Sequence, residues 1–163
     1  MVPILVALGT SLGCKAELPN QLANDASGDF PCTVFADQLI SYNPPGTEGG
    51  SELGAKTLGA PDGETVPLAK DAVLTIGFLG LGSIVERDGN DVRVHGALDP
   101  GAEVVVYVAS TDGSFVYSGG LSPETMTIDI SVAAARTAAS IQLVGISGQA
   151  TIDAFESLQT TCP

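Results

Sequence analysis

From Thr33 onward, short apolar runs alternate with polar positions at a period of two, and Gly, Pro, Asp or Asn interrupt the runs every few residues. Half-buried β-strands joined by tight turns produce this pattern. In "AVLTIGF" the alternation places Leu74, Ile76 and Phe78 on one face. In "AEVVVYVAS" it places Val104, Val106 and Val108 on one face, with Val105 and Tyr107 on the other. The cleanest run is "MTIDISV", which sets Met126, Ile128, Ile130 and Val132 inward and Thr127, Asp129 and Ser131 outward. Asp112-Gly113, between "VVVYVAST" and "SFVYSG", predicts a hairpin, because Gly accepts the positive φ such turns require. Asp88-Gly89-Asn90, Asp99-Pro100-Gly101 and Gly119-Gly120 mark further turns. The only helix-compatible stretch is the Ala-rich "VAAARTAAS" from Val132 to Ser140, enough for one or two turns in a connection. About eight strands without βαβ alternation predict an all-β, antiparallel β-sandwich of the jelly-roll type.

The first residues follow another logic. "MVPILVALGTSLGC" is apolar from Val2 to Leu8, then small. It is too short to span a bilayer and has the length of a secretory signal's apolar region. "SLGC" resembles a bacterial lipoprotein cleavage box, which implies a signal peptide over 1–13 and a lipidated Cys14. No Lys or Arg precedes the apolar run, and plain secretion or a buried N-terminal segment are the alternatives. Residues 14–32 are polar, small and Pro-containing, a tether ahead of a domain over 33–163. The expected location is the bacterial cell surface or outer membrane, by lipid anchor, with secretion as the alternative. If Cys14 carries lipid, Cys32 and Cys162 remain, and an exported protein is expected to pair them across the domain's two ends.

Charge narrows the partners. A net charge of -13 argues against nucleic acid or an anionic membrane face, leaving a lipid at Cys14 as the only membrane contact. The six Lys and Arg are scattered. That scarcity bears on "ATIDAFESL", where strict alternation puts Glu156 on the face of Ile152, Ala154 and Leu158. A carboxylate on a core face needs a cation or several donors. Hard oxygen ligands favour Ca²⁺ as that cation; the other reading is a strand end where Glu156 meets water.

The succession "FADQLISYNP", "TLGAPDG", "AVLTIGF", "GNDVRVHG", "AEVVVYVASTDGSFVYSG" and "ASIQLVGISGQATIDAFESL" resembles the galactose-binding-like, or discoidin-type, jelly rolls of bacterial surface proteins. The resemblance implies a disulfide between the termini, matching Cys32 and Cys162. It also implies a structural Ca²⁺ held by an early loop and the final strand, matching Asp62 of "LGAPDG" and Glu156. Gly59 and Gly63 would let that loop wrap closely and Pro61 would stiffen it. Alternatively, Asp62 caps its own turn. Sugar-binding relatives present aromatic rings in end loops. Here there is no Trp, Tyr107 and Tyr117 fall in strand runs, and Tyr42 alone lies near a loop. Arg87, Asp88 and Asn90 read as solvated turn residues.

The single His, His95, shares a face with Arg93 and has no triad or zinc partners in sequence. The expectation is therefore a non-catalytic exported lipoprotein, a calcium-stabilised binding or adhesion module whose partner is a glycan or a surface protein. The alternatives are a small secreted enzyme acting on polysaccharide through paired carboxylates and a structural component of a surface complex.

Overall fold

The computed structural model describes residues 34–46, 50–81, 83–110 and 112–158. The signal, tether, lipidation and disulfide assignments, with Cys14, Cys32 and Cys162, lie outside the described residues.

The alternating runs form twelve strands in chain order: β1 (Val34–Phe35), β2 (Gln38–Asn43), β3 (Val66–Ala69), β4 (Val73–Gly77), β5 (Ile84–Val85), β6 (Val92–Leu98), β7 (Glu103–Ala109), β8 (Phe115–Leu121), β9 (Thr127–Ile128), β10 (Thr137–Ala138), β11 (Ser140–Ser147) and β12 (Gln149–Ser157). Four of these have only two residues, so the expected eight correspond to the longer ones. One short helix, α1 (Gly50–Gly54), and two 3-10 turns (Ala55–Thr57 and Ile130–Ala133) complete the set.

The strands build an all-β antiparallel sandwich. The first sheet runs β1-β12-β6-β9, with β3 also paired to β12; the second runs β2-β4-β11-β7-β8; β5 and β10 make a small two-stranded ribbon. The chain's first and last strands are neighbours, with Val34 opposite Ser157 and Phe35 opposite Glu156. The inward positions of both sheets form one core, including Leu74, Ile76, Phe78, Val104, Val106, Val108, Ile141, Leu143, Val92, Val94, Ile152 and Phe155. Each such side chain contributes roughly 1.5–3 kcal/mol on burial. Tyr42 spans the two layers: its ring is buried and its hydroxyl donates to the Pro67 carbonyl of the opposite sheet. Near the end of β2, next to a loop as expected, it is nevertheless a core residue.

Three other expectations change. "MTIDISV" is a strand only at Thr127–Ile128. Asp129 then accepts from the Ser131 N–H, Asp91 accepts from the Ile130 N–H, and the chain closes into a 3-10 turn that leaves Val132 60% exposed. Gly119 and Gly120 are not a turn. They lie within β8, where Ser118 is an extra residue relative to β7 and Gly119 takes φ 124°.

The third change matters most. β12 pairs with β6 as Ile152 to Gly96, then Ala154 to His95, so Asp153 is an extra residue on β12. A β-bulge shifts the facing of every later side chain by one position. Ala150 and Ile152 point to the core before it, and Phe155 and Ser157 after it. Glu156 therefore leaves the core face and lies beside Arg93 on the outer surface. Gly96 makes the close approach feasible: a Cβ there would sit 2.1 Å from the Thr151 carbonyl oxygen.

Candidate functional site

The bulge organises the outer face of the first sheet. Glu156 Oε2 receives the Arg93 guanidinium at 3.2 Å and lies 2.8 Å from His95 Nε2. Its side chain is 15% exposed, that of Arg93 51%. The Phe35 ring lies tilted against His95, with centroids 6.3 Å apart. Glu156 thus has two side-chain partners, drawn from the scarce basic residues. Arg93 and His95 share a face, as their spacing in the sequence implied.

Asp153, the extra residue, faces the early loop. Its two carboxylate oxygens accept from the Asp62 N–H at 3.3 Å and the Gly63 N–H at 3.1 Å. The loop is also tied to the segment after β1, since the Gly59 N–H donates to the Ala36 carbonyl. Gly59 and Gly63 both have positive φ, 87° and 85°. Asp62 turns its carboxylate onto the Glu64 N–H at 2.8 Å, capping its own turn. An acidic group of the closing strand does hold "LGAPDG", but it is Asp153 that does so, through hydrogen bonds to backbone. A Ca²⁺ at Asp62 and Glu156 would have to displace Arg93 and His95 from one carboxylate and the turn's own N–H from the other. Among the described residues no group of three or more His, Cys, Asp or Glu side chains is arranged to hold a metal. As placed, these two residues do not fit a calcium site.

Other carboxylates bind their own backbone as well. Asp91, 3% exposed, accepts from the N–H groups of Arg87 and Ile130 at 3.0 and 2.9 Å. Burial raises its carboxyl above the ordinary value, while those two donors pull the other way. Asp112 sits in the β7–β8 connection, where the Ser110 hydroxyl and then the Ser114 N–H lower its carboxyl. Asp37 accepts from the N–H groups of Leu79 and Gly80. Asp88 and Asn90 are exposed in their turn, as is Arg87.

The outer face of the second sheet is chemically unlike the rest of the chain. Strand register aligns Ser41, Thr75, Gln142, Tyr107 and Tyr117 in one row. A second row is Asn43, Val73, Val144, Val105 and Gly120; a third is Gln38, Gly77, Ser140, Ala109 and Phe115. None of these positions is charged, although the chain carries -13; the exposed Glu103, opposite Ser147, stands at the margin of the face. Gln142 Nε2 donates to Thr75 Oγ1 at 3.1 Å, which fixes the amide beside Tyr107. Tyr107 and Tyr117 meet edge to face, with centroids 6.1 Å apart and planes at 74°. Tyr117 is 56% exposed. The alternation in "VVVYVAS" carried the signal for this face. The two rings were missed as a site because they were sought in loops.

No protein-family model, no curated protein and no solved structure matches the chain.

Proposed function

We propose that this chain is a non-catalytic binding module of an exported, surface-anchored protein, and that it binds a neutral polysaccharide on the outer face of the second sheet. One observation carries the reading: a fixed tyrosine pair on a face whose three central rows hold no formal charge, with Glu103 only at its margin, on a strongly acidic molecule. A tyrosine ring offers an apolar face to the C–H groups of a sugar while its hydroxyl stays solvated. Gln142, held by buried Thr75, and Ser41 and Asn43 supply hydrogen-bonding groups around it. Because the rings are near perpendicular, they form a corner for one sugar unit rather than a flat platform for several. The non-catalytic part rests on the carboxylates. The two whose pKa values are displaced, Asp91 and Asp112, are engaged by backbone N–H groups, Asp91 by those of Arg87 and Ile130 and Asp112 by that of Ser114. Export rests on the N-terminal sequence. The bridge between Cys32 and Cys162 is supported by the β1–β12 pairing, in which Val34 stands opposite Ser157.

Isothermal titration against neutral polysaccharides and a polyuronate tests this. Neutral chains should bind, and Tyr107→Ala or Tyr117→Ala should weaken binding about tenfold, equivalent to about 1.4 kcal/mol. No binding to any neutral chain, or binding indifferent to both substitutions, would overturn it.

A further inference from the structure

An edge strand presents unpaired N–H and C=O groups, and natural sheets shield them with helices, prolines, charges or short lengths. In this protein the edges differ. β3 carries Pro67, which has no N–H to offer. β1 and β9 are two residues long, and β9 leads into the 3-10 turn. β2 is covered by α1: a Cβ on Gly50 would come within 2.0 Å of the Tyr42 carbonyl oxygen, so helix backbone lies directly on the strand. Over Phe115–Tyr117, ahead of its bulge at Ser118, β8 has none of these devices among the described residues. It is seven residues long, "FVYSGGL", without charge or proline.

Its cover is partial. Beyond β7, β8 packs against the 3-10 turn Ile130–Ala133 and β9. That cover reaches the second half, where Ser118 and Leu121 are buried and the Ser118 hydroxyl donates to the Asp129 carbonyl. In the first half three consecutive large apolar residues, Phe115, Val116 and Tyr117, are 42, 47 and 56% exposed. Alternation should have hidden one side of such a run. Val116 lies opposite buried Val108 and is still half in water.

We infer that the first half of β8 is an association edge whose occupant is β8 of a second copy of this chain, paired antiparallel about a two-fold axis at Val116. The strand is self-complementary in that arrangement: Val116 meets the second copy's Val116, and Phe115 meets the second copy's Tyr117, and the reverse. No like charges are set against each other, although each chain carries -13. Aromatic and β-branched cross-strand pairs are the favourable kind, and an isologous two-fold contact closes on itself. The pairing extends the second sheet across both molecules and goes beyond the binding function proposed above.

An apolar contact between two strongly acidic chains has a distinctive salt signature. The Debye length falls from about 30 Å at 0.01 M salt to about 3 Å at 1 M, so screening removes the repulsion and leaves the contact. Sedimentation or light scattering of the full chain should show a species of twice the 16.4 kDa mass, rising with salt. Val116→Lys should leave only the monomer at all salt concentrations. Phe115→Glu serves as the second variant, and circular dichroism checks that each folds. A monomer throughout, or a dimer that persists in both folded variants, overturns the inference. So does hydrogen exchange in the monomer showing protection of the amides in Phe115–Tyr117 that alternate away from β7, which would mean that the chain covers its own edge.

Discussion

Removing the Asp91 carboxylate tests the local framework most sharply. Its side chain accepts from Arg87 and Ile130, its own N–H donates to the Ile128 carbonyl, and its carbonyl accepts from the Leu158 N–H. One residue therefore joins the loop before β6, the 3-10 turn and the end of β12. In Asp91→Ala the last two bonds survive and the two side-chain bonds go. A hydrogen bond to a charged acceptor contributes about 1.5–3 kcal/mol, and an orphaned buried donor costs about 1–3 kcal/mol. Ile130 is fully buried, whereas Arg87 is exposed and its N–H can turn to water. One full loss and one partial loss give about 3 kcal/mol, a fall in Tm of roughly 6–12 °C for a domain of this size. Urea unfolding followed by circular dichroism measures it. A loss under about 1 kcal/mol would refute the idea that this carboxylate holds the three segments. Acidity provides a second reading of the same group. Burial raises the folded-state carboxyl above its unfolded value of 3.8, so the folded protein binds this proton more tightly. The proton-linked part of its contribution is fully present below about pH 3.8 and declines as pH rises through the raised value, while the hydrogen bonds from Arg87 and Ile130 remain. Asp91→Asn does not titrate, so the stability gap between wild type and this variant should narrow as pH rises from 3.8. A gap that widens refutes the assigned direction.

Gly96→Ala drives a methyl into the Thr151 carbonyl, a contact of 2.1 Å between two backbones; it should cost 3 kcal/mol or more, about the upper range for single substitutions, as read by urea midpoint. Asp153→Ala frees the Asp62 and Gly63 N–H groups, which are solvent-accessible, so global stability should drop by only about 1 kcal/mol. Hydrogen exchange in residues 58–64 should nevertheless rise severalfold. Glu156→Gln weakens a pair whose arginine is half in water and should cost about 1 kcal/mol or less. EDTA should leave the melting curve of wild type unchanged; a fall of several degrees would return calcium to Asp62 and Glu156.

The strand faces of β4 and β7 were legible because each keeps strict alternation against a single apolar layer, and Leu74, Ile76, Val104, Val106 and Val108 are all buried. Alternation failed where an extra residue enters the ladder. Asp153 inverts the facing of β12, and nothing in "ATIDAFESL" alone announces it. The hint lay on the partner strand, in the lone Gly96 of "VRVHGAL", because an isolated glycine in a strand pattern marks a bulge or close backbone approach. The break in "MTIDISV" was hidden for a related reason. Asp129 reads as an outward strand position, yet its short carboxylate caps a turn, and Asp91, distant in sequence, claims the next N–H. Tyr107 and Tyr117 were placed correctly in strands. That their rings meet depends on the register of β7 against β8, including the extra residue Ser118, which the Asp112-Gly113 turn signal does not specify.

Chemical-shift mapping of the full chain during titration with a neutral polysaccharide addresses the binding face directly. Perturbed amides should cluster on β4, β11, β7 and β8 around Thr75, Gln142, Tyr107 and Tyr117, and disappear in Tyr117→Ala. Shifts confined instead to the Asp62 turn and the Asp88–Asn90 turn, with the tyrosine face silent, would contradict it.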